Sequence, residues 1–349
     1  MIKKLISFCV ILSMCVLRVS ASETDSLSAE CAVVINASTG EVLFEKNAYK
    51  RHSMASTTKI MTALLAIESG KLQSEIIVNK EMLCVEGTSM GLQENDSVSL
   101  LELVYGLLLA SGNDAANVVA MFLAGSLEEF AVLMNARASE IGMTDTNFVT
   151  PSGLDSEEHY STAYDMALLG MEAVKNPMFL SVCSSESATL TYGNPPYLRT
   201  LTNHNRLLKS YDFALGIKTG FTKKSGRCLV SYAKNASEEL VAVTFNAPDD
   251  WNDHRKLLDY GFNKLKSFDV NINLPDCIPI VGSKFDSIGI ESETFSVSSC
   301  DTVNTSFKVV LKKFIYAPVS EFTVVGYCFY YINGELAEII PVYTSETIT

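Results

Sequence analysis

Residues 213–247 read FALGIKTGFTKKSGRCLVSYAKNASEELVAVTFNA. The runs FALGIKT, RCLVSYA and ELVAVTFNA are rich in β-branched and apolar residues and are separated by short polar turns, so they read as successive strands. Far upstream, CAVVIN (31–36) and EVLFE (41–45) flank Ala37-Ser38-Thr39-Gly40 and predict a hairpin. From about residue 56 to 175 the apolar spacing is helical instead. One helix is expected from Ser56 to about Ser69, ended by Gly70. Ser99 with Glu102, and Ser126 with Glu129, mark two further helix starts, the first ahead of the apolar LVYGLLLA. A last helical stretch covers 252–266. Strands at both ends with helices between them predict an α/β (α+β) fold, an antiparallel sheet flanked by helices with a helical subdomain.

The flanks of this unit read differently. Lys3 and Lys4 precede the apolar run Leu5 to Leu17, and Val19-Ser20-Ala21 offers small residues for cleavage, so residues 1–21 have the form of a secretory signal. The main domain is then expected over 22–267. From 268 to 349 the chain alternates β-branched and aromatic residues, with turn signals such as Asn333-Gly334, and predicts a small C-terminal β-sandwich. The 349 residues are 48% hydrophobic and 19% charged, which excludes a disordered chain.

Charge and composition exclude several functions. The net charge is −13, and losing Lys3, Lys4 and Arg18 with the signal makes it −16, so nucleic acid is not an expected partner. No other run of 18 apolar residues occurs, so no transmembrane helix is expected in the mature chain. Seven scattered Cys remain after the signal, with no C-x-x-C pair and only four His in the chain, so no metal or cofactor is expected. Those Cys read as small core hydrophobes, with one or two disulfides as the alternative. There is no G-x-S-x-G, no H-E-x-x-H and no G-x-G-x-x-G, and GIKTGFT lacks the frame of a phosphate loop.

A lysine-based serine site remains. In Ser56-Thr57-Thr58-Lys59 the i and i+3 positions share a helix face, so the Lys59 amine can reach the Ser56 hydroxyl. A hydroxyl needs a base to become a nucleophile, and lysine serves only when neutral, a state that burial and a second cation favour. Ser111-Gly112-Asn113 follows the apolar helix and supplies a hydroxyl and an amide to relay a proton and hold a substrate amide. Lys218-Thr219-Gly220 sits at the end of a predicted strand: a cation for a substrate carboxylate, a hydroxyl donor, and a glycine that lets the backbone approach a ligand. Taken singly the first two motifs are weak, and K-T-G is more specific. In this order, 55 and then 107 residues apart, they resemble the motif set of penicillin-binding proteins and β-lactamases.

The surrounding sequence resembles the low-molecular-mass penicillin-binding proteins that act as D-alanyl-D-alanine carboxypeptidases. ASTTKIMTALLAIE, LLLASGNDAANVVA, IGMTDTNFVTPSGL, HYSTAYDMALL and IKTGFTKKSGRCLV carry the likeness over about residues 28–265, and FIYAPVSEFTVVGYCFYYINGELAE resembles the family's C-terminal domain. The resemblance implies a transpeptidase/β-lactamase-like fold with no cofactor. It implies Ser56 as nucleophile, Lys59 as general base, and Ser111 and Asn113 lining the cleft. Lys218 and Thr219 would bind the substrate's terminal carboxylate, and the backbone N–H groups of Ser56 and Phe221, beside Gly220, would form the oxyanion hole. The implied substrate is a peptidoglycan stem peptide ending in D-Ala-D-Ala, with β-lactams as covalent inhibitors. Export to the cell-wall face is expected, without the amphipathic anchoring helix that many members carry.

His204 and Arg206, in TNHNRLL, receive no role, and His159 and Tyr160 read as structural. Two rival readings are a β-lactamase of the same superfamily and a non-catalytic penicillin- or D-Ala-D-Ala-binding wall receptor. Against the first stand S-G-N in place of S-D-N, the extra β domain and the lack of a separate glutamate for deacylation. Against the second stand three intact motifs.

Overall fold

The computed structural model describes residues 26–270, 272–292, 295–299, 305–332 and 334–349. The expected signal, Cys300 and Asn333 lie outside these residues. The chain opens with β1 (Cys31–Asn36) and β2 (Val42–Lys46), paired antiparallel as the hairpin predicted. A 3-10 turn, Ala55–Thr58, leads into α1 (Lys59–Glu68), so the helix expected from Ser56 begins with one tighter turn. It ends before Gly70, which takes the left-handed φ of +70°.

A short ladder of β3 (Glu75–Ile77) and β4 (Ser97–Ser99) introduces the helical part. There follow α2 (Leu100–Leu108), α3 (Asn113–Ala124), α4 (Leu127–Ile141), α5 (Ala163–Val174) and α6 (Pro177–Cys183). Ser99 and Glu102 cap α2 reciprocally, whereas Ser126 accepts from Glu129 N–H without the return bond. The hairpin β5 (Ser187–Gly193) and β6 (Pro196–Thr202) was not foreseen. In β5 the period of two is present, Ala188, Leu190 and Tyr192 packing inward between exposed Ser187, Thr189 and Thr191, but exposed Tyr197 and Leu198 blur it in β6.

After α7 (Leu207–Ser210) come β7 (Ala214–Thr222), β8 (Gly226–Asn235), β9 (Glu238–Phe245) and α8 (Asp250–Lys264). The strands assemble in the order β2-β1-β9-β8-β7, every pair antiparallel. Both faces of this sheet are covered, and the period of two divides its side chains between two cores. Val33, Ile35, Val241, Val243 and Phe245 pack with the helical part, while Ala32, Val34, Leu240 and Ala242 pack with Leu257 and Leu258 of α8.

The tail is β-rich, as expected. It comprises β10 (Lys266–Val270), β11 (Cys277–Val281), β12 (Ser287–Ser292), β13 (Phe295–Ser299), β14 (Thr305–Leu311), β15 (Ile315–Tyr316), β16 (Val324–Ile332) and β17 (Glu335–Thr344). β10 pairs with β13, and the others form a curled sheet in the order β14-β16-β17-β12-β11-β15, parallel only at β11–β15. The expected boundary at 267/268 falls inside β10. Ser299 Oγ donates to the Glu41 carboxylate at 2.8 Å and ties the tail to the first hairpin. Cys31, Cys183, Cys228 and Cys328 are buried free thiols, and Cys84 and Cys277 are exposed ones.

Candidate active site

The turn before α1 is held by its own side chains. The hydroxyls of Thr57 and Thr58 donate to the carbonyls three residues back, Met54 O at 2.6 Å and Ala55 O at 2.8 Å. Ala55 takes a φ of +47°, a region a non-glycine residue enters only when its surroundings impose it. Ser56 follows at the mouth of a cleft, and Lys59, fully buried, lies one turn below it.

Lys59 Nζ is 2.8 Å from Ser56 Oγ, and it donates to Asn113 Oδ1 at 2.7 Å and Ser152 O at 2.7 Å. A neutral amine has two N–H donors and one lone pair. The two carbonyl oxygens take the donors, which leaves the lone pair facing the Ser56 hydroxyl. The electrostatics agree: burial first, and then the nearby Lys218 cation, push Lys59 well below the ordinary lysine range, with Asp114 opposing.

Asn113 opens α3. Its Nδ2 donates to Glu86 O at 2.6 Å, and its backbone N–H donates to Thr88 O at 2.7 Å. The adjacent Asp114 carboxylate collects Ser89 Oγ and the N–H groups of Met90, Gly91 and Leu92, at 2.6 to 3.1 Å. These bonds draw the 86–92 loop against the cleft, where Thr88 lines the wall with Ser111. The amide expected to hold substrate bonds Lys59 and this loop, with its second N–H left over.

Lys218-Thr219-Gly220 lies within β7, which runs on to Thr222 because Phe221 and Thr222 still pair with Arg227 and Gly226. The strand does not end at Thr219 as its apolar run suggested. A Cβ on Gly220 would stand 3.0 Å from the backbone nitrogens of Ser56 and Thr57. The glycine's first service is thus to let β7 lie against the Ser56 turn. Lys218 is 1% exposed, its Nζ donates to Thr219 O at 3.0 Å, and burial lowers its pKa to about 7.

The cleft itself measures about 310 Å³ and is lined by Ser56, Ser111, Thr219, Gly220 and Phe221 among the residues expected. His204 and Arg206, which had no role from sequence, line it too. Sequence reasoning missed Thr88, Arg227, Asp250 and Trp251. Asp250 accepts from Arg227 at 2.6 Å, and the Trp251 ring lies 5.5 Å from the same guanidinium. The single tryptophan, next to an acid at the start of α8, was the one available signal. A larger cavity, about 610 Å³ between the 37–40 turn, α4, α5 and β16–β17, holds Arg137 paired with Glu68, Glu140 and Glu172. Ser56, with Lys59 beneath it, is at the smaller one.

A family model described as Peptidase_S11, D-alanyl-D-alanine carboxypeptidase, matches residues 18–249. The chain is 37% identical over 254 residues to D-alanyl-D-alanine carboxypeptidase DacF of Bacillus subtilis, a match covering 68% of this chain and 63% of that one. It is 33% identical to DacB2 of Mycobacterium tuberculosis, covering 67% of this chain and 82% of the relative. Among solved structures, the Streptomyces K15 DD-transpeptidase superposes with a TM-score of 0.65 at 28% identity, over 68% of this chain and 98% of that one. Penicillin binding protein 5 of Haemophilus influenzae superposes with a TM-score of 0.66 over 92% of this chain and 98% of that one, at 24% identity, a likeness of fold alone.

Proposed function

Since the chain belongs to the D-alanyl-D-alanine carboxypeptidase family of serine peptidases, we propose that it removes the terminal D-alanine from peptidoglycan stem peptides through an acyl-enzyme on Ser56. Neutral Lys59 takes the Ser56 proton as Oγ attacks the carbonyl of the penultimate D-Ala. The C–N bond to the last residue breaks, and the proton reaches the departing amine through Lys59, with Ser111 as relay. Water then cleaves the ester. The oxyanion sits between the N–H groups of Ser56 and Phe221. Thr219 and Lys218 meet the substrate carboxylate from β7, and Asn113 acts by holding Lys59.

One observation carries this reading: Lys59 Nζ faces Ser56 Oγ at 2.8 Å with both of its remaining donors occupied by carbonyl oxygens. The leader pattern over residues 1–21 supports action on the outer side of the cytoplasmic membrane, and no single described helix is long and apolar enough to cross one. The decisive assay incubates purified protein with an acyl-D-Ala-D-Ala peptide and measures free D-alanine. Wild type releases it, and Ser56→Ala neither releases it nor binds labelled penicillin covalently. Stoichiometric labelling of Ser56→Ala would refute the assignment of the nucleophile. Labelling of wild type with no release from any stem peptide would make the chain a receptor instead.

A further inference from the structure

A histidine outside the motif set stands behind the Ser56 turn. His159 is 1% exposed, and the 158–161 stretch that carries it is pinned by paired backbone bonds, Tyr160 to Asn147 and Ser161 to His52. One backbone donor fixes the direction of every bond around its ring. Val149 N–H donates to Nδ1 at 2.9 Å, so the ring proton sits on Nε2. Nε2 is 2.9 Å from Thr58 Oγ1 and donates to it. The Thr58 hydroxyl proton then goes to Ala55 O at 2.8 Å. Burial favours the neutral ring this arrangement requires, lowering the His159 pKa to about 4.

The end of that chain matters because a peptide unit is planar and trans. The Ala55 carbonyl and the Ser56 N–H belong to one unit and point in opposite directions. Fixing the carbonyl fixes the line of the N–H, and a donor on the carbonyl polarises the amide and strengthens that N–H as a donor in turn. Ala55, at φ +47°, is where the backbone would otherwise relax. Gly153 packs so close to the same carbonyl that a Cβ there would stand 1.9 Å from Ala55 O, so the carbonyl is walled on that side.

We infer that His159 is a positioning residue, which through the Thr58 hydroxyl and the Ala55 carbonyl aims and strengthens the Ser56 N–H as an oxyanion donor. The inference rests on Ser56 being the nucleophile. It reaches the reaction through two other residues and never touches substrate.

The test measures Ser56 acylation by labelled penicillin, by intact mass, resolving the saturating rate from the non-covalent affinity and normalising to folded protein. Thr58→Val removes the hydroxyl and keeps the shape, and His159→Ala removes the ring. Both should slow the saturating rate by about 10-fold or more, a fraction of the ~10²–10³ lost when an oxyanion donor is deleted. Affinity should stay within about 3-fold, because the donor acts on the transition state. Thr58→Ser should retain the wild-type rate. His159→Gln, which offers one acceptor and one donor, should recover part of the loss. Wild-type rates in Thr58→Val, a loss confined to affinity, or a Thr58→Ser protein as slow as Thr58→Val would each overturn the role of His159. A wild-type chain that is never acylated would overturn the reading of Ser56 as well.

Discussion

Asn113 holds Lys59: its Oδ1 accepts from Lys59 Nζ at 2.7 Å, while its Nδ2 is committed to Glu86 O at 2.6 Å. The amide therefore fixes one of the amine's donors and helps decide where its lone pair points. It also couples Lys59 to the 86–92 loop.

The first prediction follows from that pair. Asn113→Asp puts a carboxylate where a neutral oxygen stood, which favours the charged lysine and raises its pKa. The rising limb of the pH–acylation profile should move to higher pH, with a rate loss that alkaline conditions partly recover. A profile superposable on wild type would mean that Asn113 does not contact the base in solution.

The second concerns Lys218. With a pKa lowered to about 7 by burial, it is charged below that pH and neutral above it. If its cation meets the substrate carboxylate, kcat/KM for a peptide acid should fall as pH rises through about 7, since this ratio reports the free enzyme. Lys59, lowered well below its usual range, must be neutral and sets the acidic side. Lys218→Ala should lower kcat/KM by ~10-fold or more and abolish the fall near pH 7. Unchanged kcat/KM would shift the carboxylate to Arg206 and Arg227, the cations that line the cleft.

The third is steric. In Gly220→Ala the new methyl meets backbone nitrogens of Ser56 and Thr57 at 3.0 Å and Ala55 Cβ at 3.1 Å. These are rigid atoms, so β7 and the nucleophile turn must part. Acylation should fall by more than ~10-fold while the thermal midpoint drops by only a few degrees, as overpacking costs of ~1–3 kcal/mol imply. Acylation at the wild-type rate would show that the two elements are not held in contact.

The fourth separates this activity from β-lactam hydrolysis. Free D-alanine leaves the cleft after acylation, whereas the leaving group of penicillin stays tethered to the acyl chain and obstructs water. The Ser56 penicilloyl ester should persist for minutes or longer by intact mass while D-alanine release from peptide is steady. Rapid penicillin hydrolysis with no release of D-alanine would place the chain among the β-lactamases.

Local signals carried most of the fold. The β-branched, apolar runs at 31–45 and 213–247 became β1, β2, β7, β8 and β9, and the Ser99–Glu102 box placed the start of α2, because apolar runs and capping are properties of short stretches. The β5–β6 hairpin was passed over although Ala188, Leu190 and Tyr192 alternate with exposed polar residues, because exposed Tyr197 and Leu198 blur the period in β6.

By itself the sequence singled out the residues proposed to carry the chemistry, since Ser56 and Lys59 are one helical turn apart and Ser111, Asn113 and Lys218 stand in ordered motifs. Only the tertiary structure decided how they divide the work. It buried Lys218 behind the cleft, committed Asn113 to Lys59, and brought Thr88, Arg227 and Trp251 to the walls and His159 behind the nucleophile turn. The physical reason is range. Helix periodicity fixes neighbours three or four residues apart, whereas desolvation and hydrogen bonds such as Lys59 to Ser152 and His159 to Thr58 join residues about a hundred positions apart, and only packing brings those together.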